Sequence, residues 1–174
     1  MKEIEIKILE VDKEEVCKKL TKLGAKKTYE GLLKSWAYKS PNDKKLRVRD
    51  FGNKIIVTQK SNKKIIDGTK TLDELECEIK DLESFQKILE ALNFELSFYE
   101  EKNRTSYDYD GLHFDIDEFP MKVTVLEIEG KTPEEVARGT SLLGYTIEQS
   151  IPDSFKELYA RYGIDINKQK EVKF

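Results

Sequence analysis

Glu3-Ile4-Glu5-Ile6-Lys7-Ile8-Leu9 alternates charged and aliphatic residues, and a helical segment from Asp12 to Leu23 follows it. The pattern returns as Glu76-Cys77-Glu78-Ile79-Lys80 before Asp81 to Leu92, and as Glu127-Ile128-Glu129-Gly130-Lys131 before Thr132 to Leu143. Residues two apart in a strand point to one side, so each copy sets two carboxylates side by side on one sheet face. Like charges placed so close repel unless something offsets them, usually a cation. Each helical segment opens on a capping residue, Asp12, Asp81 or Thr132, and is followed by Gly24, Asn93 or Gly144, residues that tolerate a left-handed stop.

The same alternation continues between the copies. Residues 29–39 read as a strand rich in Tyr and Trp, Lys45 to Asp50 as a strand with Arg47 and Arg49 on one face, and Gly52-Asn53 as a hairpin turn into Lys54 to Lys60. Residues 61–71 are mostly polar and read as a loop. Glu95 to Tyr107 is a long strand with Lys102 and Arg104 on one face; Asp110-Gly111 turns it into Leu112 to Asp117, and Thr124 to Gly130 follows Pro120. A short helix is expected from Asp153 to Tyr162. The fold class is α+β: roughly eight antiparallel strands, enough to curl into a small closed barrel, with helices packed outside over the apolar face.

Charged residues make up 37% of the 174 positions, well above the ordinary share of about 25%. They fall inside regular alternating patterns beside eight Phe, eight Tyr and one Trp, which marks a folded domain rather than a disordered chain. A net charge of −3 gives no general attraction to nucleic acid or anionic lipid. Cys17 and Cys77 form neither a zinc pattern nor a disulfide framework. No apolar run reaches membrane-spanning length, so the expectation is a cytoplasmic protein with no nucleic-acid or membrane partner.

The polar faces are doublets of one sign. The acids are Glu3, Glu5, Glu76, Glu78, Asp115, Asp117, Glu127 and Glu129; the bases are Lys7, Arg47, Arg49, Lys60, Lys102 and Arg104. Since the apolar faces need the helices as cover, a curled sheet would turn the charges inward. Acid doublets suit a hard divalent cation such as Mg²⁺ or Mn²⁺, and base doublets suit phosphate oxygens, with Arg offering forked contacts. A site with both is matched to a polyphosphate bridged by metal.

The ordered set Glu3-x-Glu5-x-Lys7, Leu46-Arg47-Val48-Arg49, Thr58-Gln59-Lys60, Glu76-x-Glu78, Lys102-x-Arg104, Asp117-Glu118-Phe119-Pro120 and Leu126-Glu127-Ile128-Glu129 resembles the CYTH family, the triphosphate tunnel metalloenzymes. The resemblance runs over about residues 2–163. It implies an eight-stranded antiparallel tunnel holding a triphosphate, in one domain over residues 1–167 with a charged tail, prone to fraying, at 168–174. It assigns Lys7, Arg47, Arg49, Lys60, Lys102 and Arg104 to the phosphates, and Glu3, Glu5, Asp117, Glu127 and Glu129 to Mg²⁺ or Mn²⁺. Glu76 and Glu78 become a supporting acidic pair, and Glu5, Lys7 and Glu127 the catalytic candidates. Ser35-Trp36 departs from the aspartate and aromatic that many relatives carry there.

The implied chemistry is hydrolysis of inorganic triphosphate, ATP or thiamine triphosphate, by a monomer or homodimer. Adenylyl cyclisation of ATP to cAMP and pyrophosphate, and plain triphosphate binding without turnover, are the alternatives. No motif reads as a purine pocket, which favours hydrolysis. His113 shares the charged face with Asp115, where a phosphate or proton-transfer role stands beside the favoured reading as a plain polar strand residue; Trp36 and the neighbouring tyrosines are read as rim or core packing, with stacking on a base as the alternative, and Tyr159 and Tyr162 as packing the last helix across the barrel mouth.

Overall fold

In the computed structural model every strand expected from alternation is present, and on β1, β6, β7 and β8 the described charged doublets are buried on the inner side of a curled sheet. Residues 2–42, 44–66, 69–151 and 154–174 are described, with backbone alone for 2–3, 60–66, 69–74 and 155. The elements run β1 (Lys2–Leu9), α1 (Lys13–Leu23), β2 (Lys26–Lys39), β3 (Lys45–Asp50), β4 (Ile55–Ile66), β5 (Thr69–Ile79), α2 (Leu82–Ala91), β6 (Glu95–Tyr109), β7 (Leu112–Glu118), β8 (Thr124–Gly130), α3 (Pro133–Leu142), α4 (Phe155–Arg161) and β9 (Glu171–Val172). The sheet order is β2-β3-β4-β5-β1-β8-β7-β6-β9. In addition β2 pairs with β6 along Lys26–Lys39, so both sides of β2 have strand neighbours. All pairings are antiparallel except β6 with β9.

The three strand-helix copies fold as read. Asp12, Asp81 and Thr132 accept from the backbone N–H three residues on, satisfying an orphan donor of the first turn. Gly24, Asn93 and Gly144 lie at φ of 81°, 59° and 80°, where glycine and asparagine are tolerated. Ile4, Ile6 and Ile8 of β1 pack beneath Val16 and Leu20 of α1 and Val136 of α3, with Phe114, Ile116, Leu126 and Ile128 beside them. Gly139 lets α3 press on that layer: a Cβ there would meet Ile128 at 2.9 Å and Leu112 at 3.1 Å. A second cluster sets α2, through Leu89, over Tyr38, Val48 and Val57. The apolar faces are thus outside, under helices, and the charged faces are left for the interior.

Two segments differ from expectation. Within the polar stretch expected to be a loop, the described residues 61–66 and 69–71 are strand: β4 runs to Ile66 and β5 starts at Thr69, with Lys64, Ile65 and Ile66 opposite Thr71, Lys70 and Thr69. Backbone pairing needs no apolar side chain, so alternation could not reveal it. The tail also carries structure. Glu171 and Val172 pair with Tyr99 and Glu100 of β6, and Val172 is buried with Phe98 and Leu158. Helix α4 closes over one end of the curled sheet, where Tyr159 is fully buried against Phe98 and Phe119. Its hydroxyl donates to Glu100 at 2.8 Å.

Candidate metal and phosphate site

Strand register lays the inward charges out in rows. Lys7, Glu127, Asp115 and Ser106 are successive partners across β1, β8, β7 and β6. The adjacent row is Glu5, Glu129, His113 and Asp108. Because the rows are neighbours, Asp115, Glu127 and Glu129 can bring one carboxylate oxygen each within 4.8 Å of one another. The sequence supplies the doublet Glu127 and Glu129 and puts Asp115 on a charged face; the register brings Asp115 beside them from the next strand.

These acids are embedded in a buried ion network. The Lys7 ammonium lies 2.9 Å from Glu5 and 2.7 Å from Glu127. Arg104 holds Asp117 through two donors, Nε and Nη2, each at 2.6 Å, reaches Glu127 at 3.1 Å and pairs with Asp115. Lys102 donates to Asp117 at 2.6 Å and sits over the Phe119 ring. Burial by itself would push Lys7 and Arg104 down, but the acids around them more than offset it and both are raised. Burial would likewise raise Glu127 and Asp115. For Glu127 the charges of Lys7, Lys102 and Arg104 win, and for Asp115 those of Arg104 and His113, so both are held well below the carboxylate range.

The buried bases Lys7, Lys102 and Arg104 pair with the buried acids Glu5, Asp115, Asp117 and Glu127. Buried charge must be compensated. Asp115, Glu127 and Glu129 bring carboxylate oxygens within 4.8 Å of one another, the hard donors a divalent cation takes. The residues present therefore fit a divalent cation.

The opposite wall is more open. Arg47 and Thr58 are partners on β3 and β4, and Thr58 faces Glu76 on β5. Arg49 donates to Thr58 at 3.1 Å and to Glu76 at 2.6 Å, while the Thr58 hydroxyl donates to Glu76 at 2.6 Å. Between the walls lies a cavity of about 550 Å³ lined by Glu5, Arg47, Arg49, Arg104, Asp115, Glu127 and Glu129, among others. A second cavity of about 740 Å³ opens toward α4, and Arg47 lines it as well.

The structure brings together Glu5, Lys7, Lys102, Arg104, Asp117, Glu127 and Glu129 on one wall, and Arg47, Arg49 and Glu76 on the other. Glu78 is exposed. The side chains of Glu3 and Lys60 lie outside the described residues. Asp117 was expected at a metal, but it is fully buried and held by Lys102 and Arg104, whereas Asp115, two residues earlier on the same face, lines the cavity. Glu76 accepts from Arg49 at 2.6 Å. Trp36 does not line the cavity; it stacks on Tyr99 at 5.2 Å on the outer face.

One contributor, Ser106, escaped the sequence reading, and for another, His113, a site role ranked below a plain polar one. Ser106 donates to Asp115 at 2.5 Å; its signal was the parity it shares with Lys102 and Arg104. His113, read as a plain polar residue, bridges Asp108 at 2.5 Å and Asp115 at 3.1 Å. Burial lowers its affinity for a proton, but bonding to Asp115 and Asp108 and the charge of Glu129 raise it to about 10.

Comparison with known proteins agrees with this geometry. The CYTH domain matches residues 1–141. No curated protein matches the chain. The PH1012 protein of Pyrococcus horikoshii OT3 is 28% identical, with a TM-score of 0.72 over 90% of this chain and 98% of its own. A provisionally assigned adenylate cyclase of Vibrio parahaemolyticus shares the fold at a TM-score of 0.77 and 16% identity, over 91% of this chain and 97% of its own. HpAC1 of Hippeastrum, a protein with a dominant triphosphatase activity, does so at 0.60 and 19%, over 92% and 96%. Through its ordered doublets, its inward charged walls and the match over residues 1–141, the chain belongs to the CYTH family.

Proposed function

We propose that the protein is a divalent-metal-dependent triphosphatase whose sheet closes into an eight-stranded tunnel around the site. The pairing of β2 with both β3 and β6 supports closure. The observation that carries the activity is the cavity's two-sided chemistry: three carboxylates within 4.8 Å of one another on one wall, and Arg47 and Arg49 on the other. Neither half alone suits a small molecule so well as a polyphosphate, whose oxygens bind both cations and guanidinium groups.

Phosphoryl transfer asks mainly for positioning and charge stabilisation. A divalent cation held by Asp115, Glu127 and Glu129 would neutralise phosphate charge and polarise the phosphorus under attack. Arg47 and Arg49 bind the non-bridging oxygens, with Glu76 holding Arg49 at 2.6 Å so that its guanidinium needs little reorganisation. Lys7 fixes Glu5 and Glu127 at 2.9 Å and 2.7 Å and keeps the acidic wall in register. Glu5, buried beside Lys7 and lining the same cavity, would orient the attacking water. Water adds to the terminal phosphorus, the bridging P–O bond breaks, and orthophosphate leaves with the diphosphate.

The test is incubation with inorganic triphosphate, ATP and thiamine triphosphate in Mg²⁺, Mn²⁺ or chelator, with separate measurement of orthophosphate, pyrophosphate and cAMP. Metal-dependent orthophosphate release is expected. Pyrophosphate and cAMP from ATP would assign the tunnel to cyclisation, and tight binding with no product would make it a triphosphate-binding module.

A further inference from the structure

We infer that Ser106 and His113 are positioning residues for Asp115: they occupy one of its carboxylate oxygens, Oδ1, so that Asp115 offers the cation Oδ2 alone. The inference rests on the proposed metal site and extends it to how that site chooses its ion. A carboxylate has about four acceptor positions, two on each oxygen. The Ser106 hydroxyl donates to Asp115 Oδ1 at 2.5 Å, and His113 Nε2 donates to the same atom at 3.1 Å. Oδ2 pairs with Nη1 of Arg104. Oδ1 is therefore filled twice, and the position that remains lies on Oδ2.

Strand register builds this arrangement from two neighbouring rows. Ser106 on β6 is the direct partner of Asp115 on β7, and Asp115 is in turn the partner of Glu127 on β8. The hydroxyl donor thus stands on one side of Asp115 and a second candidate ligand on the other. His113 lies two residues before Asp115, so both side chains project from one face of β7. Its partner across β6 is Asp108. The ring is held at both ends, because Nδ1 lies 2.5 Å from Asp108. A ring flanked by two carboxylates bonds both only with a proton on each nitrogen, since an ionised acid can only accept. Asp108, on the exposed side, fixes the imidazole, and the imidazole fixes the buried carboxylate.

Burial makes the hold firm. Ser106 and Asp115 are both buried, and with His113 they line the same cavity as Glu127 and Glu129. A carboxylate confined to one oxygen suits a small ion that demands near-octahedral geometry. A larger ion such as Ca²⁺ takes more oxygens and accepts a carboxylate through both of them. Hydrogen-bonding partners behind a ligating side chain are worth about 10–100-fold in metal affinity. Filling Oδ1 therefore biases the site against the larger ion.

Calorimetry with Mn²⁺ alone and Ca²⁺ alone, on wild type, Ser106→Ala, His113→Phe and His113→Gln, reads the ratio of the Ca²⁺ to the Mn²⁺ dissociation constant. The ratio cancels any change in net charge, which acts on both ions alike, and thermal unfolding reports any loss of fold. In Ser106→Ala and His113→Phe the ratio is expected to fall about tenfold, as Asp115 gains the freedom to offer both oxygens. His113→Gln, whose amide nitrogen still donates to Asp115, is expected to hold the wild-type ratio. Should His113→Phe fail to fold, Ser106→Ala decides alone. An unchanged ratio in Ser106→Ala, with Mn²⁺ still bound, would overturn the positioning role and leave the metal site standing. Wild-type protein that binds neither ion would overturn the site and the inference together.

Discussion

The two walls of the site use the same residue types to opposite ends. On β1, β8, β7 and β6 the bases are buried against acids, and Lys7, Lys102 and Arg104 are each held by carboxylates at 3.1 Å or less. On β3, β4 and β5 the doublet Arg47 and Arg49 faces an open cavity, and the partner Glu76 is 45% exposed. A buried base beside acids stabilises those acids, and so prepares a cation site. Arg49, held by Thr58 and Glu76 at the cavity, presents its guanidinium to an incoming anion. The sign of a doublet therefore does not decide its role; the company it keeps across the strands does.

The comparison breaks most sharply at Glu127. Glu127→Ala is expected to lower kcat by about 10³-fold or more, through loss of metal charge stabilisation. It also strands Lys7 and Arg104, at a stability cost of about 3–5 kcal/mol; kinetics and denaturant unfolding measure the two effects separately. Acid titration tests the same wall. Glu127 is depressed from its ordinary 4.5, so its contribution to the stability of metal-free protein is complete above that pH. It is lost as pH falls further toward the folded-state value, a loss that Glu127→Gln abolishes in unfolding curves followed from pH 6 to 3.

On the open wall the effects are smaller. Arg49→Ala is expected to raise KM for triphosphates about ten- to a hundredfold, the range of one charge-assisted contact, with unfolding free energy little changed. Glu76→Gln, at a partly exposed pair, should move KM by only a few-fold and stability by less than about 1 kcal/mol. If Glu76→Gln destabilised the fold as much as Glu127→Ala, the contrast between the walls would fail.

Gly139 shows where packing legibility stopped. A glycine inside a helix reads as a weak point, yet α3 lies so close to Ile128 and Leu112 that a side chain does not fit. Gly139→Val should cost about 1–3 kcal/mol in unfolding free energy, whereas on propensity alone it would stabilise the helix. The strand-helix copies themselves were plain because capping and alternation are local. Asp12, Asp81 and Thr132 bond the residue three ahead, within one turn. The paired arms at 61–66 and 69–71 were hidden because their support comes from the opposite strand.

The sequence by itself determined that charged doublets share one face and aliphatic residues the other, since a two-residue period follows from the strand backbone alone. That settled the inward charge, the helices outside and the residue types of the site. Only the tertiary structure decided that Asp117 goes to Lys102 and Arg104 while Asp115 joins Glu127 and Glu129. Parity cannot separate two residues on the same face of one strand; cross-strand register can, because it fixes which charges lie opposite each.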